Sequence, residues 1–207
     1  MRRYFQGCAV SKYISITSLF TIFEEIFDRN YYFEGESHDF WEFVCVLDGT
    51  LGVTAGEDIL ILEKGQSVLH RPMEFHRLWS EGRTEPHIFV ISFAADAMPQ
   101  VKDKQFQLTE ENHKTISILR DTAAMVFDRE EDTLVKSVRT GREAEAQIFI
   151  NTAENLLLSV LNGKKQKMDY YESISADNYR RIVRTLEEHI QERLTQADIA
   201  GLCSMSE

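Results

Sequence analysis

Apolar positions along this 207-residue chain recur in two rhythms. From about residue 13 to residue 94 they come in short, β-prone runs. Ile14, Ile16, Leu19, Phe20, Ile22, Phe23, Ile26 and Phe27 form the first. FWEFVCVL, LGVTAG, DILILEKG, SVLHRP and HIFVISF follow. Asp48-Gly49, Gly56-Glu57, Lys64-Gly65 and Gly82 separate them as turn signals. Many short strands at close spacing predict a β-sandwich or barrel. Pro72 and Pro86 fall at run edges, where proline is tolerated.

After about residue 106 the period lengthens. Ile116, Leu119, Ala123 and Val126 are spaced 3-4-3, one face of a helix. Thr109 is its candidate N-cap, with Glu110 and Glu111 favouring the helix dipole in the first turn. Residues 128–142 read as a charged loop. A second helix is expected over about 143–161, with the stripe Ala146, Phe149, Ala153, Leu156 and Val160. Ile150, Leu157, Leu158 and Leu161 widen that stripe, which implies burial on two sides and suggests a dimer seam as well as packing on the β region. Asn162-Gly163 reads as its C-terminal stop. Lys164, Lys165 and Lys167 open a polar linker, and a third helix is expected from Asp177, burying Ile182, Leu186 and Ile190. The last segment, TQADIAGLCSMSE, offers Thr195 and Asp198 as a capping box and Ile199, Ala200 and Leu202 as a short buried face. Cys203-Ser204-Met205 then forms a turn, with Ser206 the N-cap of a following helix. This is the supporting helix and turn of a helix-turn-helix unit, without the helix that reads bases.

Composition narrows the function classes. With 23 Lys and Arg against 34 Asp and Glu the net charge is -11, which argues against non-specific nucleic-acid binding by this stretch. No apolar run approaches the roughly 20 residues that span a bilayer, and MRRYFQGCAV lacks the apolar core of a signal peptide. Three cysteines without CxxC spacing fit reduced thiols in a cytoplasmic protein, Cys45 being a buried apolar residue. There is no Gly-rich phosphate loop, HExxH motif or Ser-His-Asp order to support a hydrolase or nucleotide-dependent enzyme.

The chemistry concentrates in ESHDFWEFVCVLDG and GQSVLHRPMEFHRL. His38, Phe40, Glu42, Val44 and Val46 share parity, so on a strand they face one side; Asp39, Trp41, Phe43 and Cys45 face the other. With the even side inward, His38 and Glu42 enter the interior. Gly49 closes the strand, and His76 follows Gly65 by eleven residues. These segments resemble the cupin barrel motifs. His38, Glu42 and Gly49 stand at the spacing of the first, with Glu36 where metal-binding cupins carry another histidine. Gly65 and His76 keep the overall separation of the second, but Pro72 is displaced by one, the inner glycine is missing, and Ser80 replaces the usual asparagine.

With two helices and LTQADIAGLCSMS after it, the whole chain resembles the AraC family of transcription regulators. The resemblance implies a cupin-like β-barrel (a double-stranded β-helix), then a helical pair, then the start of an all-α helix-turn-helix domain. The implied divisions are an effector-sensing barrel over 1–105, a helical dimerisation segment over 106–163, a linker over 164–176 and a fragment of the DNA-binding domain over 177–207. It implies a cytoplasmic homodimer that senses a small molecule, a carbohydrate being one expectation, and meets operator DNA through the full-length protein. The expected effector residues are His38, Phe40, Glu42 and His76, with Trp79 as further stacking surface. Thr195, Ala200, Ser204 and Ser206 support the DNA-binding unit, whose recognition helix is expected to be absent here. No catalytic residue and no cofactor are expected. Two alternatives stay open. One is a metal-dependent cupin enzyme using Glu36, His38, Glu42 and His76; the other is a small-molecule-binding module acting through a partner protein. A hydrogen-bonded His–carboxylate network that only holds the fold is the plainest role for the same residues. Trp41 is expected to pack, and His87 and His113 to lie outside the site.

Overall fold

The computed structural model describes residues 7–163, 185, 189 and 195–203. Among these residues eleven strands form two antiparallel sheets, packed face to face as a sandwich rather than closed into one barrel. In chain order the strands are β1 (Ser15–Ile26), β2 (Tyr32–Glu36), β3 (Trp41–Asp48), β4 (Thr50–Ala55), β5 (Asp58–Glu63), β6 (Gln66–His70), β7 (His76–Ser80), β8 (His87–Ala97), β9 (Gln105–Gln107), β10 (Phe127–Glu130) and β11 (Leu134–Val138). One sheet runs β10-β11-β1-β8-β3-β6-β9, the other β2-β7-β4-β5. The runs of short strands predict such a mainly β sandwich, and the resemblance implies its cupin-like architecture, though not as the closed barrel expected. The turn signals at Asp48-Gly49, Gly56-Glu57 and Lys64-Gly65 each join successive strands.

Strand β3 shows why the runs look so uniformly apolar. It is buried on both faces. Val44 and Val46 enter the core between the sheets, with Leu51, Val53, Leu62, Val68, Ile88 and Val90. Phe43 and Cys45 enter a second core beneath the helices. The parity read from the sequence therefore holds from Glu42 onward. A strand covered on both sides loses its polar alternation and reads as one continuous run.

Helix α1 (Glu110–Val126) begins at Thr109, whose hydroxyl accepts from the Asn112 N–H in a capping box. Its buried stripe includes Ile116, Leu119, Ala123 and Val126. Helix α2 (Glu143–Asn162) buries Ala146, Phe149, Ala153, Leu156, Leu157 and Val160 in the same core. Packing within one chain thus accounts for its wide stripe. Buried Glu154 accepts from the Ile16 N–H at 3.0 Å and from Lys12 Nζ at 3.0 and 3.1 Å, tying the start of β1 to α2.

Several expectations need correction. The charged stretch 128–142 is mostly a hairpin, β10–β11, that extends the larger sheet past β1. Its turn residues Glu131 and Asp132 both have positive φ, at 50° and 55°. Without the glycine or asparagine that usually marks such a turn, the hairpin is hidden in a charge run. The β region also continues past residue 94, through the end of β8 and into β9, which pairs with β6. Gly163 ends α2 at φ -56°, so the stop is not a left-handed glycine cap.

Helix α3 (Gln196–Leu202) has the expected Thr195–Asp198 capping box. Its apolar face differs from expectation. Leu202 is exposed, Ile199 and Ala200 are half-buried, and Cys203 is the buried residue, its Sγ 3.4 Å from the Thr185 hydroxyl. The linker 164–176, the helix from Asp177 with Ile182, Leu186 and Ile190, and the positions Ser204, Met205 and Ser206 lie outside the described residues.

Candidate functional site

The site lies at one end of the space between the sheets, where the apolar lining gives way to polar side chains. Glu42 is the first inward position of β3 and is buried. His70, its cross-strand partner on β6, is fully buried. His76 opens β7 opposite Glu36, the last residue of β2. A bulge delivers Glu36 there: between Phe33↔Leu78 and Glu36↔His76, β2 spends one residue more than β7. Gly35 permits the bulge at φ 101°, where a Cβ would lie 2.6 Å from Arg77 Cγ and Phe75 Cζ.

Glu42 is the hub. Its carboxylate lies 3.9 Å from His38 Nε2 and 3.4 Å from His76 Nε2, and Glu36 Oε1 lies 3.9 Å from the same His76 nitrogen. One ligand atom from each of Glu36, His38, Glu42 and His76 falls within 4.8 Å of the others. His70 stacks on His76 with ring centroids 4.3 Å apart, and His38 meets His76 edge-on at 4.9 Å.

Two hydrogen bonds assign the imidazole tautomers. His38 Nδ1–H donates to the Phe40 carbonyl and His76 Nδ1–H to the Glu74 carbonyl, each at 3.0 Å. Both Nε2 atoms then face the hub as lone pairs when the rings are neutral. Neither Nε2 has a hydrogen-bond partner, and neither ring nitrogen of His70 has one. Buried polar atoms are nearly always paired, so this concentration marks the site.

Behind the hub stands a closed ion network. Glu74 takes Arg71 and Lys104 at 3.0 Å each, Lys104 also reaches Asp58 at 3.1 Å, and its ammonium donates to the Ala55 carbonyl. Burial alone would raise the Glu74 carboxyl, but His70, Lys104 and Arg71 outweigh it and hold the pKa far below the ordinary range. Burial likewise pushes Glu42 up, and the adjacent imidazoles of His76, His70 and His38 bring it below its ordinary value. His76 is lowered by burial yet raised on balance by Glu42, the Glu74 carbonyl and Glu36. His70 is lowered, burial dominating over Glu74.

The structure brings Glu36, His38, Glu42 and His76 together. Two placements differ. His38 and Phe40 sit on the connection before β3 rather than on a strand. Phe40 stacks on the His38 ring at 3.7 Å and on Phe20 at 4.1 Å, a continuous row from the surface to the hub. Trp79 faces away from the interior: its ring covers Gly52, where a Cβ would lie 2.0 Å from Trp79 Cε2, and its N–H donates to Glu81. Trp41 packs against the core beneath the helices as expected. His87 pairs with Glu24 at the start of β8, outside the site.

Sequence reasoning missed His70, Glu74 and Lys104. The parity of β6 carries a signal for His70, two residues beyond inward-facing Val68. Glu74 and Lys104 meet across thirty positions and no local pattern announces them.

Two imidazoles and two carboxylates also suit a divalent cation. The orientation fits as well, since metal-bound imidazoles commonly donate their second N–H to a backbone carbonyl, as both Nδ1 atoms do here.

Comparison with known proteins adds one family. The model for the AraC-like ligand binding domain matches residues 21–127. A search of curated proteins found no match. Among solved structures, that of apo ToxT K231A from Vibrio cholerae is 11% identical, covers 93% of this chain and 73% of its own, and has a TM-score of 0.42. A cupin protein from Bacteroides fragilis is 12% identical, with 49% of this chain and 93% of its own covered and a TM-score of 0.36. TT1209 from Thermus thermophilus is 15% identical over 43% of this chain and 91% of its own, with a TM-score of 0.34.

Proposed function

The chain belongs to the AraC-like ligand-binding domain family, and from that membership we propose that it is the sensing part of a ligand-responsive transcription regulator whose small-molecule effector seats at His38, Phe40, Glu42 and His76. The observation that carries this reading is the set of buried imidazole nitrogens without partners around Glu42. The neighbouring Glu74 carboxylate, by contrast, has two cations at hydrogen-bond distance.

Coupling to the rest of the molecule runs through β3. Glu42 faces the site and Phe43, the next residue, faces the helices. An effector that favours one setting of β3 biases the packing of α1 and α2, provided it binds the two settings with different affinity. The helix pair is the dimerisation segment in this reading. Ile118, Met125 and Ile148 line a groove between α1 and α2 while remaining 54%, 57% and 63% exposed, an apolar surface suited to a second copy. The capped helix α3 is, in this reading, the supporting helix of a helix-turn-helix unit that would place the regulator on operator DNA in the cytoplasm. No helix among the described residues is long and apolar enough to cross a membrane. The protein acts by binding, not by turnover.

Transcript profiling of the source cells tests this. Deleting the gene should alter a defined set of transcripts, and Glu42→Gln, at unchanged protein abundance, should lock that set in its effector-free pattern. A deletion that changes no transcripts contradicts the regulator. A fully responsive Glu42→Gln contradicts the site.

The tautomers of His38 and His76 favour one second reading, a divalent metal held by Glu36, His38, Glu42 and His76. A bound metal supplies Lewis-acid polarisation to a ligand. The protein groups would orient it through the two Nδ1–H bonds and shield it with the Phe40 ring.

A further inference from the structure

The effector reading leaves the chemistry of the effector open, and the balance of donors and acceptors narrows it. Resting on that reading, we propose that the effector is an amphipathic organic amine, bound through a protonated ammonium head.

Four groups converge on one point, and two of them are carboxylates that present acceptors there. In the neutral ring the His38 Nε2 adds a lone pair, its Nδ1 proton being committed to the Phe40 carbonyl. Glu36 and Glu42 add carboxylate oxygens, and all four lie within 4.8 Å of one another. No lysine or arginine pairs with Glu36 or Glu42 among the described residues, whereas Glu74 behind them has both Arg71 and Lys104. The hub therefore presents two carboxylates without a lysine or arginine counter-ion. The His76 side chain is 1% exposed, and its Nε2 lies 3.4 Å from Glu42 without a hydrogen bond.

An ammonium group matches this arrangement. It has three N–H donors, no acceptor and one positive charge. Bonds to carboxylates are charge-assisted and gain strength where solvent is excluded. A carboxylate or phosphate head would set acceptors against acceptors. A hydroxyl offers one donor and no charge to the two carboxylates.

The surroundings describe the body of the molecule. The hub reaches solvent at Glu36, whose side chain is 53% exposed. Around that opening lie Phe40 stacked on His38, Phe20 stacked on Phe40, and the exposed side chains of Met73 and Phe75. Met73 is held beside the site by its N–H, which donates to the His38 carbonyl at 2.6 Å. Phe75 lies against the Gly35 bulge. Three separate segments thus supply apolar surface around a polar, anionic centre, which fits a cationic head on an apolar or aromatic body.

Calorimetric titration of the purified chain with three probes of one skeleton tests this: 2-phenylethylamine, 2-phenylethanol and 3-phenylpropionate, all with a chelator present. The amine is expected to bind about tenfold or more tightly than the other two. Glu42→Gln and Glu36→Gln should each weaken the amine about tenfold while leaving the alcohol unchanged. Glu36 is half exposed, so its variant keeps the test valid should Glu42→Gln fail to fold. Equal or tighter binding of the alcohol or the acid overturns the amine while the sensor reading stands. A parallel titration with zinc alone, without chelator, that binds one ion per chain and abolishes amine binding overturns it in favour of a metal. Absence of binding by all three probes also overturns it, and the sensor reading then rests on the transcript experiment.

Discussion

Replacing Phe43 with alanine is expected to destabilise the protein by about 3–5 kcal/mol, the range for truncating a buried phenylalanine. The ring is fully buried at the centre of β3, between its cross-strand neighbours Leu69 and Ile91. It belongs to a core shared by the larger sheet with α1 and α2, including Ile116, Leu119, Phe149 and Leu156. Layers on both sides restrict collapse around the cavity, so little of the cost is recovered. Because helices and sheet share this core, urea unfolding should show one transition, shifted together in far-UV circular dichroism and tryptophan fluorescence. A loss below about 1 kcal/mol, or a helix signal that melts apart from the sheet, would contradict the packing described.

Glu74→Gln is expected to cost about 2–3 kcal/mol near neutral pH, because it leaves the largely buried Lys104 ammonium with a reduced counter-charge. Its pH dependence is diagnostic. The folded-state pKa of Glu74 lies well below the ordinary 4.5, so the folded protein holds the ionised form more strongly than the unfolded chain does. That stabilisation is complete above the ordinary value and is lost as pH falls through it toward the folded pKa. Glutamine has nothing to titrate. The stability gap between wild type and Glu74→Gln should therefore be full near pH 7 and narrow steadily below about pH 4.5. A gap independent of pH would show that Glu74 acts through shape alone.

The parts of the fold most readable from sequence were those governed by local periodicity. The α1 stripe, its Thr109 cap, the turn at Asp48-Gly49 and the inward parity of Glu42, Val44 and Val46 all follow from spacing. Elements set by long-range pairing were not readable. β9 is three residues long and exists because β6 offers it an edge. The β10–β11 hairpin turns on Glu131 and Asp132, residues that seldom take positive φ.

The candidate site divides in the same way. Glu36, His38, Glu42 and His76 are recognisable by residue type and motif spacing. Their confluence depends on the β2 bulge at Gly35, whose register shift sets Glu36 opposite His76. Trp79 illustrates the limit of reading by residue type: an aromatic three residues after His76 suggests a stacking surface, yet strand alternation turns it to the outer face. His70 was legible only by extending the parity argument to β6. Lys104 reaches Glu74 from the connection between β8 and β9, a contact that only the folded chain creates.

The central claim is that a small molecule occupies the space around Glu42 between the two sheets. Native mass spectrometry of the protein isolated from its own cells tests it most directly, with wild type and Glu42→Gln prepared side by side. The account predicts a discrete small-molecule adduct on the wild type, lost in Glu42→Gln and kept in Trp79→Phe on the outer face. An adduct retained undiminished in Glu42→Gln, or a wild type that carries none under any growth condition that changes its target transcripts, would contradict it.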